Sequence, residues 1–219
     1  MPSRGQPAAA DRAAPAVTGL FIAIEGPNAV GKTTITSRLA VALRARGTAV
    51  HVTTEPSATT LGRLVRSAES YLTGRPLALA VAADRYAHVE NEITPALRAG
   101  NVVITDRYVQ SSLVLQRLDG LGLAEIWSYN AHVAVPDLSV YLEDDPDVIA
   151  ARLLQRPALS RLEARGSPSR ELALYRGAFR FLARRGWPQA RIDCQGLDPD
   201  GVDAAIMARL GPLQSTRGG

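Results

Sequence analysis

Leu20-Phe21-Ile22-Ala23-Ile24-Glu25-Gly26-Pro27-Asn28-Ala29-Val30-Gly31-Lys32-Thr33-Thr34 decides the reading of this chain. An unbroken apolar run enters a glycine-bounded loop, and Ile35, Leu39, Ala42 and Leu43 then recur at helical spacing until Gly47. Strand, loop and helix in that order turn several backbone N–H groups toward one point. The helix N-terminus adds about half a positive charge there. Gly26 to Thr33 fits the P-loop pattern G-x-x-x-x-G-K-[ST] at every fixed position. Lys32 is the only lysine among 25 basic side chains. A chain that otherwise writes arginine keeps one compact ammonium where a point charge must sit close to phosphates.

Working outward, further apolar runs alternate with helical patterns. Strands are predicted at 49–52, 102–105, 138–142 and 190–193, and helices at 60–73, 77–99, 109–118, 122–133, 146–155, 170–186 and 200–210. Pro95 is expected to bend the last turn of the long 77–99 helix. Continuous apolar strands alternating with helices predict a parallel sheet covered on both faces, a three-layer α/β/α P-loop NTPase with a mostly five-stranded sheet. The predicted domain spans 18–211, with a disordered tail at 1–17 and a flexible tail at 212–219. Val102–Thr105 delivers Asp106 to the carboxyl end of the sheet, where α/β proteins bind ligands, with Arg107 beside it.

Composition narrows the function. Net charge is +4, yet no dense basic block with interleaved aromatics appears, so nucleic-acid binding is not expected. Neither an apolar run long enough for a membrane span nor a secretory h-region is present in the sequence read. The single cysteine, Cys194, allows no intrachain disulfide and suits a reducing setting, so a cytoplasmic location is expected. His51, His88 and His132 lack metal-ligand spacing, and His88 reads as structural.

Ordered motifs then make the resemblance specific. Beyond the P-loop come Glu55-Pro56 with Thr59, Leu61-Gly62 and Arg66. Ala83-Asp84-Arg85 with His88 follows, then Asp106-Arg107-Tyr108 with Ser111-Ser112, then Pro136-Asp137-Leu138. Arg152, Arg156 and Arg161-Leu162-Glu163 end the series. In this order they resemble the thymidylate kinase family over about residues 19–193. The resemblance implies transfer of the ATP γ-phosphoryl group to a nucleoside monophosphate acceptor, most simply dTMP, by positioning and electrostatic stabilisation. It implies ATP and Mg²⁺ as cofactors and a homodimer as the assembly. Gly26, Asn28, Ala29, Val30, Gly31, Lys32, Thr33 and Thr34 would hold ATP, and Thr33 and Asp106 would organise the metal, with Glu55 a further candidate. Arg66 and Arg107 would clamp the acceptor phosphate. Glu55, Val81, Arg85, Ser112 and Leu115 would surround the acceptor, with Arg85 on the base edge and Tyr175 and Phe179 approaching from the late helix. Arg156 and Arg161, with Arg152, would close over the transferring group as a lid near 152–167.

Departures from the family gather on the acceptor side. Val81 stands where an aromatic residue stacks on the base, and Leu115 where bacterial members carry tyrosine. Asn28 replaces a P-loop acid, Ser57-Ala58 a glycine pair, and Ser160 a lid aspartate. Two alternatives accompany the dTMP reading. One is a paralogue for a different or modified nucleotide acceptor; the other is a non-catalytic ATP-binding protein.

Overall fold

The structure, a computed structural model, describes residues 19–215. The predicted tail at 1–17 lies outside them. Five parallel strands, β1 (Leu20–Glu25), β2 (Val50–Thr54), β3 (Val102–Asp106), β4 (Leu138–Glu143) and β5 (Gln189–Asp193), stand in the order β2-β3-β1-β4-β5. The chain order reverses about β1, so the loop leaving β1 opens at the crevice where such sheets bind ligands.

The sheet is apolar on both faces because helices cover both. Along β1, Ile22 and Ile24 enter one core layer with Leu39, Leu43, Val140 and Ile206, under α1 (Lys32–Ala45) and α10 (Pro199–Ser215). Phe21 and Ala23 enter the other with Val103, Leu113, Ala178 and Leu182, under α5 (Val109–Leu118) and α9 (Pro168–Ala183). The remaining helices are α2 (Thr60–Ala68), α3 (Gly74–His88), α4 (Thr94–Arg98), α6 (Leu123–Ser128), α7 (Pro146–Leu154) and α8 (Arg161–Arg165).

Several predicted boundaries move. The helix read over 77–99 is α3, then a π-helical turn at Val89–Ile93, then α4. Pro95 has no N–H to give the preceding turn, and the widened turn before it absorbs the break. The helix read over 122–133 stops at Ser128, where α6 ends. Helix α10 runs through Ser215 with Pro212 inside it, into the segment read as a tail. Within the lid, α8 is capped by Ser160, whose hydroxyl accepts from Glu163 N while the Glu163 carboxylate accepts from Ser160 N. Where the family carries aspartate, serine completes a capping box.

Candidate active site

Strand β1 ends at Glu25 and the chain turns at Gly26, whose φ of 144° is open chiefly to glycine; a Cβ there would meet Leu142 O at 2.5 Å. Gly31 caps α1 in a left-handed conformation, which leaves the first N–H groups of α1 facing a cleft with an empty volume of about 1150 Å³. Lys32, Thr33, Thr34, Asp106, Arg107 and Arg156 are among its lining residues.

Lys32 is buried, and its ammonium donates to the carbonyls of Gly26 at 2.9 Å and Pro27 at 2.7 Å. Burial, joined by the nearby Arg107, pulls its pKa down to about 7 against the pull of Asp106, Glu25 and Glu171. Glu25 moves the other way. Burial lifts it to about 7, although Ser111 Oγ at 2.7 Å and the Tyr108 N–H at 2.6 Å donate to its carboxylate.

Thr33 Oγ1 donates to Asp106 Oδ2 at 2.5 Å, while the buried Asp106 Oδ1 has no hydrogen-bond partner. A hydroxyl, a carboxylate and one unpaired oxygen beside a phosphate cradle fit Mg²⁺, which keeps several waters and takes few protein ligands. The sequence motifs assign the metal to these residues, and they lie together. Glu55, the further candidate, instead accepts from Arg85 away from this pair.

Arg107 joins the two halves. It lines the donor cleft and also a second cavity, of about 500 Å³ empty volume, between α2, α3 and α5. Its φ of 78° is unusual for a residue with a side chain. That backbone is held by Arg107 N donating to Ile24 O at 3.0 Å and by Thr105 Oγ1 donating to Arg107 O at 2.8 Å. Its guanidinium donates to Ser111 Oγ at 3.3 Å and Asn28 Oδ1 at 2.6 Å.

The second cavity is mostly apolar, with Val81, Leu115, Leu77 and Leu162 in its wall. Arg85, Ser112 and Gln116 are among its polar lining residues, with Glu55, Glu69, Arg107 and Ser111. Arg85 is 1% exposed and donates to Glu55 Oε2 at 2.7 Å, Tyr108 O at 3.1 Å, Ser112 Oγ at 3.0 Å and Asn130 Oδ1. Glu55 therefore balances a charge that has left water. His88, read as structural, bonds Thr53 Oγ1 at 2.7 Å below this pair. Gln116 was not singled out from the sequence. Its Nε2 donates to Ser112 Oγ at 3.3 Å and its buried Oε1 has no partner. The signal was its place one turn beyond Ser112 on an otherwise apolar helix face.

Four expected parts of the site are engaged elsewhere. Arg66 donates to the carbonyls of Ser57 at 2.8 Å and Pro56, and lines neither cavity. Arg161 does not enter the donor cleft. It donates to Asp119 at 2.5 and 2.9 Å, Glu69 O at 2.8 Å and Leu72 O at 3.2 Å, which latches α8 onto the α2–α3 turn. Asn28 points away from the donor cleft, toward Arg107 and Glu171. Tyr175 and Phe179 pack on Tyr141 in the core, with the Tyr175 hydroxyl behind Ser111 at 3.1 Å. Of the lid arginines, Arg152 and Arg156 do line the donor cleft, held by Asp144 at 2.9 Å and by Glu163 respectively.

Comparison with known proteins agrees with this geometry. The family model described as thymidylate kinase matches residues 24–167. A probable thymidylate kinase of Caldivirga maquilingensis is 38% identical over 148 residues, covering 66% of this chain and 72% of that protein. A thymidylate kinase of Clavibacter sepedonicus is 35% identical over 192 residues, covering 79% and 90%. The solved thymidylate kinase of Candida albicans shares the fold, with a TM-score of 0.70 at 20% identity over 90% of this chain and 92% of that one.

Proposed function

The chain belongs to the thymidylate kinase family, and from that premise we propose that it transfers the γ-phosphoryl group of ATP to the 5′-phosphate of dTMP, giving dTDP and ADP. The observation that carries the proposal is the position of Arg107, which lines both the phosphate cleft and the mostly apolar cavity. A guanidinium on that boundary can hold an acceptor phosphate by bidentate, charge-assisted bonds, in line with a donor in the P-loop.

The roles follow from placement. Lys32 turns from the Gly26 and Pro27 carbonyls to the β- and γ-phosphates, and the α1 amides hold the remaining oxygens. Thr33 and Asp106 would hold Mg²⁺, which would supply positive charge against the phosphates. Arg156 and Arg152, at the cleft's edge, neutralise charge that develops on the transferring group. In the acceptor cavity the polar wall of Arg85, Ser112 and Gln116 meets the base edge, while Val81 and Leu115 pack its faces. Leu162 closes the cavity from the lid, and Arg161 anchors the lid there instead of reaching the phosphates.

Two finer points belong to the same reading. A homodimer is favoured by family membership and by Leu64 on α2 and Leu79 on α3, which are 57% and 47% exposed. A cytoplasmic location is favoured by the free, buried Cys194.

Replacing Arg107 with alanine tests the function. The variant should bind ATP as the parent does and lose dTMP-dependent ADP formation. Unchanged turnover would remove Arg107 from the reaction, and a parent that binds ATP but forms no ADP with dTMP would favour a protein that only binds ATP.

A further inference from the structure

Glu171 is 2% exposed, lies on the first turns of α9 and has no part in the roles above. Its carboxylate reaches back to the P-loop, far away in sequence. Oε2 accepts from Asn28 N at 2.9 Å and Oε1 accepts from Asn28 Nδ2 at 3.2 Å. An ionised carboxylate offers only acceptors, so it must face the amide nitrogens of Asn28. That leaves Asn28 Oδ1 to face the other way, where Arg107 donates to it at 2.6 Å. Asn28 is itself 5% exposed, so a flipped amide would leave buried donors opposed to donors.

We propose that Glu171 is a positioning residue for phosphoryl transfer: it locks the Asn28 amide with its oxygen toward Arg107 and so sets that guanidinium between the donor and acceptor sites. The inference rests on the assignment of Arg107 to the acceptor phosphate. It gives the P-loop asparagine a definite task, as the neutral link in a Glu171–Asn28–Arg107 chain whose negative charge stands on α9. It also ties the site to the lid. Gly166 ends α8, and a Cβ at that position would meet Glu171 Oε1 at 2.7 Å. Backbone strain does not explain a glycine here, since its φ is −86°. Its missing side chain leaves room for the carboxylate.

The test is an isosteric exchange. In Glu171→Gln, the carboxamide oxygen still accepts from Asn28 N, but the new NH₂ opposes the Asn28 amide nitrogen, which turns a donor toward Arg107. In the double variant Asn28→Asp with Glu171→Gln, the introduced aspartate accepts from both the new carboxamide NH₂ and Arg107, and the net charge is that of the parent. Glu171→Gln should raise the KM for dTMP about tenfold and lower kcat, with the KM for ATP changed less than about twofold. The double variant should recover the dTMP KM to within about threefold of the parent. Gly166→Ala, which crowds the carboxylate without touching a nucleotide, should move the dTMP KM in the direction of Glu171→Gln.

Thermal unfolding of the same proteins without nucleotide reads the hydrogen-bonded chain independently of any acceptor. The single exchange should lower Tm and the double should restore it. A parent enzyme inactive on dTMP, with the Tm pattern intact, would count against the kinase assignment and leave the chain in place. A Glu171→Gln variant with the parent's dTMP KM and Tm, or a double variant as impaired as the single, would overturn the proposal.

Discussion

Replacing Lys32 with arginine keeps the formal charge and changes nearly everything else about it. In the ligand-free protein the ammonium is buried, 2.9 and 2.7 Å from the Gly26 and Pro27 carbonyls. Burial brings its pKa from the ordinary 10.5 to about 7. That change corresponds to about 5 kcal/mol against the charged form. Near neutral pH lysine escapes about 1 kcal/mol of this by releasing its proton. Arginine cannot, because its guanidinium stays protonated at any working pH. At pH 7.5 Lys32→Arg should therefore lower the unfolding free energy of the ligand-free protein by about 1 kcal/mol through charge alone, out of a total that for most domains is about 5–15 kcal/mol. The planar guanidinium is also too wide for a pocket shaped around an ammonium, so the loop must open and the amide cradle with it. Urea unfolding at pH 7.5, followed through Trp127 and Trp187, measures the first effect; dTMP-dependent ADP release measures the second. Turnover should fall by about 100-fold or more. A variant with the parent's urea midpoint and turnover within about threefold would refute both the burial argument and the role of the point charge.

Two further predictions follow from the same charges. ATP binding should take up close to one proton at pH 8, because the phosphates return Lys32 to its charged form; calorimetry in buffers of different ionisation enthalpy measures this, and a buffer-independent heat would contradict it. The stability side has a definite sign. Between pH 7 and 10.5 the unfolded chain binds a proton at Lys32 that the folded one lacks, so ligand-free stability from this group rises with pH. Glu25 acts oppositely between 4.5 and about 7, where the folded chain holds the extra proton, so the pair together stabilises least near pH 7. Finally, Glu55→Ala should destabilise the fold by about 3–5 kcal/mol, since it leaves Arg85 buried without its counter-ion; chemical denaturation within about 1 kcal/mol of the parent would contradict the buried pair.

The donor half was legible because its chemistry is local. Gly26, Gly31, Lys32 and Thr33 act through one short loop, and β3 ends in Asp106 beside it, so spacing alone places them. The acceptor half depends on which of many arginines turns where. Arg66 and Arg161 carry the family positions, yet their guanidinium groups are used by main-chain carbonyls and by Asp119. That outcome is decided by partners distant in sequence. Gln116 and Glu171 were missed for the same reason: each is an ordinary helix residue until packing buries it against Ser112 or Asn28. The strands were plain, since buried parallel strands are continuous apolar runs. The helix ends were less so, because the π-helical turn before Pro95 and the short α8 are set by caps and breaks with little periodicity of their own.

The central claim is that the cavity walled by Val81, Leu115, Arg85 and Gln116 receives dTMP in line with ATP in the P-loop. The most direct measurement is the rate of ADP formation from ATP and Mg²⁺ with dTMP, dUMP, UMP, dCMP and CMP supplied in turn. The account predicts efficient turnover with dTMP, the highest kcat/KM of the five, and dTDP as product. Equal or better turnover of another acceptor would show that the aliphatic substitutions have changed specificity, and binding of ATP with transfer to none of the five would contradict the account.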